Sequence, residues 1–200
     1  MTQLRALRAR LAREESGYTL VELLTVIVIL GIVMQGLTTM LASASNAEAD
    51  MNNRFRAQQT ARVALDKIRR EVHCASDAGS TTPNTSVALV NLTLPTYCKT
   101  YSGSTTVTWC TKNVSTNRYA LYRINSGTAS CNGGVRWADY LRPTSTAAVC
   151  GTALCVFNYQ TASGSLARLH VDFPVNVKPK RTVNTYELID DLVLRNSTRP

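Results

Sequence analysis

Only two histidines, His73 and His170, occur in the 200 residues, and none of the six cysteines stands in a Cys-x-x-Cys pair. The usual zinc frameworks therefore lack ligands at the spacing they need. A His-Glu-x-x-His helix, a Gly-x-Ser-x-Gly elbow and a glycine-rich phosphate loop are also missing, which removes the commonest sequence grounds for a zinc peptidase, a serine hydrolase or a P-loop nucleotidase. His73 beside Cys74 does not replace them, because neighbours on a helix point about 100° apart and cannot act as base and nucleophile. Asp190 and Asp191 are adjacent in a stretch that reads as strand, so they fall on opposite faces as edge charges. The sequence indicates no enzyme, metal or cofactor. Proline is absent from Tyr18 to Ser76, which leaves room for one helix of about 58 residues, roughly 87 Å long.

The chain does have one long apolar run. Residues 18–41 hold a single formal charge, Glu22, and about 20 apolar residues suffice to cross a bilayer core. Ahead of it, Arg5, Arg8, Arg10 and Arg13 outweigh Glu14 and Glu15, a bias that keeps the N-terminal side cytoplasmic and sends the rest across. The small residue Gly17 precedes the apolar run, whereas an ordinary secretory signal is cut after it. A carboxylate at membrane depth is expensive unless it finds a cation, so Glu22 reads as functional. The plainer alternative is a tolerated polar residue at the end of an ordinary single-pass anchor.

The basic leader, Gly17-Tyr18-Thr19-Leu20-Val21-Glu22 and the apolar helix after it resemble the type IV filament family of prepilins and pseudopilins. The resemblance implies cleavage by prepilin peptidase between Gly17 and Tyr18, N-methylation of Tyr18, and pairing of Glu22 with the N-terminal amine of a neighbouring subunit. Most members carry Phe where Tyr18 stands. Looser likenesses at residues 61–72, Val107-Thr-Trp-Cys110, Tyr119-Ala-Leu-Tyr-Arg123 and Val193-Leu-Arg-Asn196 point to J-type minor pseudopilins and PilW-type minor pilins. The implied fold is α+β: a long N-terminal helix packed on an antiparallel β-sheet head. Implied divisions are a cleaved leader 1–17, a membrane and filament-core helix 18–41, an amphipathic helix 42–76 and a disulfide-bonded head 77–200. Implied partners are membrane lipid before assembly, other minor pilins, the major pilin, the peptidase and the inner-membrane assembly platform. The implied location is the bacterial inner membrane, then a periplasmic or extracellular filament.

Beyond the membrane run, Met51, Phe55, Ala61, Leu65, Ile68 and Val72 recur near helical spacing and form the expected packing face. Arg54, Arg56, Arg62, Lys67, Arg69 and Arg70, partly balanced by Glu48, Asp50, Asp66 and Glu71, form the expected wet face. After Asp77 the composition turns to Thr, Ser, Asn and Val, with strands expected at 87–94, 105–110, 118–124, 154–159, 166–173 and 186–194. An even cysteine count in an exported domain predicts disulfides, for which six cysteines allow 15 connectivities. Local pairing predicts Cys150–Cys155, Cys98–Cys110 and Cys74–Cys131. Net charge is +9, and its densest cluster, Lys178-Pro-Lys180-Arg181, offers a patch for DNA phosphates or an acidic surface. A solvated loop is the simpler reading of that patch. A pilus-borne DNA receptor or adhesin is the alternative to a structural subunit.

Overall fold

The computed structural model describes residues 18–79, 83–98, 103–161, 166–177 and 185–197. They form one helix, α1 (Leu20–Cys74), and eleven strands. The chain divides into two units, one ending at Ala49 and the other starting at Asp50. In the first unit α1 is exposed throughout.

In the second unit the remainder of α1 buries Ala57, Ala61, Ala64, Leu65, Ile68 and Val72. Three of these are alanines, which let a backbone approach closely while still favouring helix. Met51 and Phe55 do not belong to this face: they are 69% and 63% exposed. Phe55 lies about 140° round the helix from the buried stripe, because a 3.6-residue repeat run back from Leu65 and Ile68 arrives at Ala57 instead.

The strands are β1 (Asp77–Gly79), β2 (Ser86–Val87), β3 (Leu89–Thr93), β4 (Thr106–Ser115), β5 (Arg118–Ile124), β6 (Val135–Leu141), β7 (Val149–Cys150), β8 (Ala153–Leu154), β9 (Phe157–Gln160), β10 (Arg168–Val175) and β11 (Tyr186–Val193). Nine make one antiparallel sheet in the order β1-β3-β4-β5-β6-β10-β9-β2, with β11 added on β10, and β7 and β8 form a separate hairpin. The expected strand 87–94 is broken at Ala88, whose carbonyl accepts the Thr111 N–H at 2.9 Å. Its first part pairs with β9 and its second with β4. A single stretch of chain thus joins one end of the path to the strand next to the other end, and the sheet curls.

The expected strand 118–124 is β5 as found, while 105–110 continues to Ser115 and 154–159 divides into β8 and β9. Sequence alternation missed β6. Its pairing with β5 shifts between Tyr119 and Leu121 and again between Leu121 and Tyr122, so inward and outward residues do not alternate simply. Tyr140 sits at one irregularity with φ 61. Asp139 Oδ1 accepts its N–H at 2.6 Å, and the Arg118 guanidinium lies 4.1 Å from its ring centre.

The seam between helix and sheet is ionic as well as apolar. Glu71, expected on the wet face, is fully buried. Its Oε2 accepts Trp109 Nε1–H at 2.7 Å, and its Oε1 accepts Arg123 Nε–H at 3.0 Å, with Arg123 Nη2 at 2.9 Å and Lys67 Nζ at 3.2 Å. Trp109 and Arg123 are cross-strand partners on β4 and β5, so they present side chains on the same face. Trp137 of β6 meets Trp109 edge-on with ring centres 5.9 Å apart. The opposite flank of the helix is tied to β11. Arg62 donates to the Tyr186 hydroxyl at 2.9 Å, Arg69 Nη2 meets Asp190 at 2.6 Å, and His73 Nδ1 lies 2.9 Å from the Val193 carbonyl.

Removing one partner of a buried ion pair strands the other, at about 3–5 kcal/mol. Glu71→Ala is therefore expected to destabilise the head by that amount, read from denaturant unfolding followed by tryptophan fluorescence. Combining Glu71→Leu with Arg123→Leu removes both charges and is expected to recover more than half of the loss. A double variant as unstable as the single one would show that shape, and not charge, holds the seam.

Candidate functional site

The helix start is built from Thr19 and Glu22. Thr19 Oγ1 accepts the Glu22 backbone N–H at 3.3 Å, and the Thr19 carbonyl accepts the N–H groups of Glu22 and Leu23 at 3.0 and 3.1 Å. Thr19 is thus the N-cap and Glu22 the third helical residue, the spacing of a capping box, where a carboxylate also suits the positive end of the helix dipole. The Glu22 carboxylate itself meets no cation among the described residues. Tyr18, immediately before the cap, is 79% exposed. Gly17 and the rest of the leader lie outside the described residues.

Past the cap, the large apolar side chains from Leu20 to Leu41 are all more than half exposed. By length and composition this part of α1 can cross a membrane. Hydroxyls within or beside it are turned back on the helix: Thr25 donates to the Glu22 carbonyl, Thr38 to Met34, Thr39 to Gly36 and Ser43 to Met40. Such back-bonding removes the cost of carrying a hydroxyl into lipid. Among the described residues the Glu22 carboxylate has no such internal remedy.

Residues 12–37 match the family model described as the prokaryotic N-terminal methylation motif. Over these residues the chain carries the N-terminal motif of type IV prepilin-like proteins. The motif is that of structural subunits that assemble with other pilins. No curated protein and no solved structure matches this chain.

In the head of this prepilin-like chain the cysteines pair as Cys74–Cys98, Cys110–Cys131 and Cys150–Cys155. The last is the expected local pair, and the other two correct the expectation. Cys110 cannot meet Cys98 because it lies within β4, next to the inward-facing Trp109, and so points to the opposite face of the sheet, where the loop carrying Cys131 lies. Cys98 follows the turn in which its N–H bonds the Pro95 carbonyl at 3.0 Å, beside the end of α1. That helix end is capped a second time, by Asn196 Nδ2 donating to the Cys74 carbonyl at 2.8 Å.

Asp190 and Asp191 do diverge. Asp190 faces Arg69, and Asp191 meets His170 Nδ1 at 2.7 Å. Hydrogen bonding to Asp190 raises the Arg69 pKa above its ordinary value, and bonding to Asp139 does the same for Arg118, so both stay cationic. Lys178, Lys180 and Arg181 lie outside the described residues.

Besides Met51 and Phe55, Glu71 is a residue that sequence reasoning misplaced. A signal existed: Ala64, Ile68, Glu71 and Ala75 follow a 4-3-4 spacing, which continues the buried stripe. Losing the Cys74–Cys98 link, which spans 24 residues, through Cys74→Ser with Cys98→Ser is expected to cost the head about 2–4 kcal/mol. Urea unfolding of the oxidised protein against that variant checks this, and unchanged stability would contradict it.

Proposed function

We propose that the protein is a minor pilin or pseudopilin, which helps to initiate or cap a type IV pilus or a type II secretion pseudopilus. The observation that carries this reading is the methylation motif at residues 12–37, with Glu22 the one charge in the apolar run. In this reading prepilin peptidase cuts between Gly17 and Tyr18 and methylates Tyr18. The apolar part of α1 anchors the subunit in the inner membrane, head outward, until other pilins take the place of lipid. Glu22 then faces the amine of an adjoining subunit. Both charges are costly alone in a low-dielectric setting, and their attraction offsets part of that cost. Three disulfides in the head support an oxidising compartment outside the cytoplasm. The minor role is supported by the likeness to J-type and PilW-type segments.

The test is the unreduced intact mass of protein extracted from its native membrane, together with filament assembly by Glu22→Ala. A chain starting at Tyr18, heavier by a methyl group and lighter by two hydrogens per disulfide, is expected. Glu22→Ala is expected to reach the membrane, be processed, and fail to enter filaments normally. A chain that starts at Met1, or normal assembly without Glu22, would reduce the protein to a plain membrane anchor.

A further inference from the structure

We propose that the free edge of β11 receives an added strand from a different subunit of the filament, an extended segment that sets a Lys or Arg, an apolar residue and a second Lys or Arg along one face. That the donor is a filament subunit rests on the pilin reading above; the chemistry of its segment rests on the edge itself. The Leu194 N–H bonds the Ala167 carbonyl at 2.9 Å, in register with the β10–β11 pairing. Hydrogen-bonded and non-hydrogen-bonded residues alternate along an antiparallel pair. Tyr186, Leu188, Asp190 and Leu192 therefore bond β10, and the N–H and C=O groups of Glu187, Ile189, Asp191 and Val193 point the other way. At Val193 the chain supplies a partner of its own, since His73 Nδ1 lies 2.9 Å from that carbonyl. Among the described residues β11 pairs with β10 alone, and no hydrogen bond reaches the outward backbone groups of Glu187, Ile189 and Asp191.

Folded proteins blunt such edges by making them short, charged or covered. The other outer strands of this sheet, β1 and β2, are three and two residues long, whereas β11 runs for eight. Its charges do not seal it. Glu187, Ile189 and Asp191 share the outer face, and Ile189, the middle one, is 54% exposed. An exposed isoleucine between two carboxylates, over unpaired backbone groups, makes a template about 14 Å long. On an added strand, the residues opposite these three stand on the same face, and the favourable pairs are a cation with Glu187, an apolar side chain with Ile189 and a cation with Asp191. Asp190 is turned to Arg69 on the other face, while Asp191 engages His170 through Oδ1 alone. Within residues 18–200 no Lys or Arg is followed two positions on by an apolar residue and four positions on by another Lys or Arg. A second copy of this chain thus lacks the matching segment, and the donor is a different subunit.

The experiment uses the full matured chain in detergent micelles with its disulfides intact. Its probes are a labelled synthetic peptide, Thr-Lys-Thr-Val-Thr-Lys-Thr with blocked ends, and the same peptide with Glu in place of both Lys. The lysine peptide is expected to bind at least about tenfold more tightly by fluorescence anisotropy. It should slow amide hydrogen exchange at Glu187, Ile189 and Asp191, and leave Leu188 and Asp190, already bonded to β10, unchanged. Ile189→Pro removes an outward N–H and no bond to β10, so it should keep the wild-type unfolding midpoint and bind about tenfold less. In native membranes that variant is expected to start at Tyr18 and yet enter filaments poorly. Glu187→Lys with Asp191→Lys leaves the backbone as it is and should reverse the preference to the glutamate peptide, which keeps the test decisive if the proline variant unfolds. Equal binding of the two peptides, exchange slowed only elsewhere, or an Ile189→Pro chain that binds and assembles as wild type overturns the proposal and leaves the acids as insulation of the edge. A native chain that starts at Met1 but binds the lysine peptide overturns the pilin reading, and with it the identity of the donor, while the edge site stands.

Discussion

A carboxylate can be sealed from water only if it receives charge and hydrogen bonds in return, and Glu71 receives both from two neighbouring strands at once. That requirement fixes more than one pair. Trp109 and Arg123 must stand opposite each other on β4 and β5, so the register of the central hairpin and the rotation of the helix are set together. Arg62, Arg69 and His73 then reach β11 on the other flank, and the small Ala57, Ala61 and Ala64 settle against the curled sheet. Apolar burial supplies most of the driving force. The ionic seam supplies direction, because a stripe rich in alanine could otherwise slide or turn at little penalty.

Glu22 and Glu71 belong to the same helix and represent two ways of handling an acid away from water. Glu71 is satisfied within its own chain. Glu22 has a well-formed cap at its backbone, while its carboxylate meets no cation among the described residues. In the proposed assembly a second molecule supplies the cation for this acid, which lies in a segment fit for lipid.

Much of the fold was legible where one physical rule acts alone. A helix long and apolar enough to cross a membrane follows from an unbroken apolar run, and β5 follows from an apolar, tyrosine-containing stretch flanked by turns. Legibility failed where two rules compete. Glu71 sits among Lys67, Arg69 and Arg70, so its sequence neighbours imply water, and only the strands that come to it from 38 and 52 residues away make it internal. β6 carries bulges that scramble alternation, and Tyr140 adopts a backbone conformation that no pattern of apolar residues announces. Cysteine pairing depends on which face of β4 Cys110 occupies, a fact that follows only once Trp109 is known to point inward. At the N-terminus, by contrast, the signal was local: Thr19 and Glu22 are three residues apart, and the same spacing serves both the cap and the family motif.

The Cys74–Cys98 bond also determines how tension passes through the molecule. A pull transmitted along α1 leaves the helix at Cys74, and there it divides between the backbone and the disulfide. Because the disulfide spans 24 residues of sequence, β1, β2 and β3 lie on a slack branch, and about 80 Å of chain is withheld from extension while the bond lasts. Cys110–Cys131 does the same for β5 and for the part of β4 beyond Cys110. A filament loaded through such subunits would stretch its heads only in the segments left between these bridges, so oxidation sets mechanical compliance as well as stability.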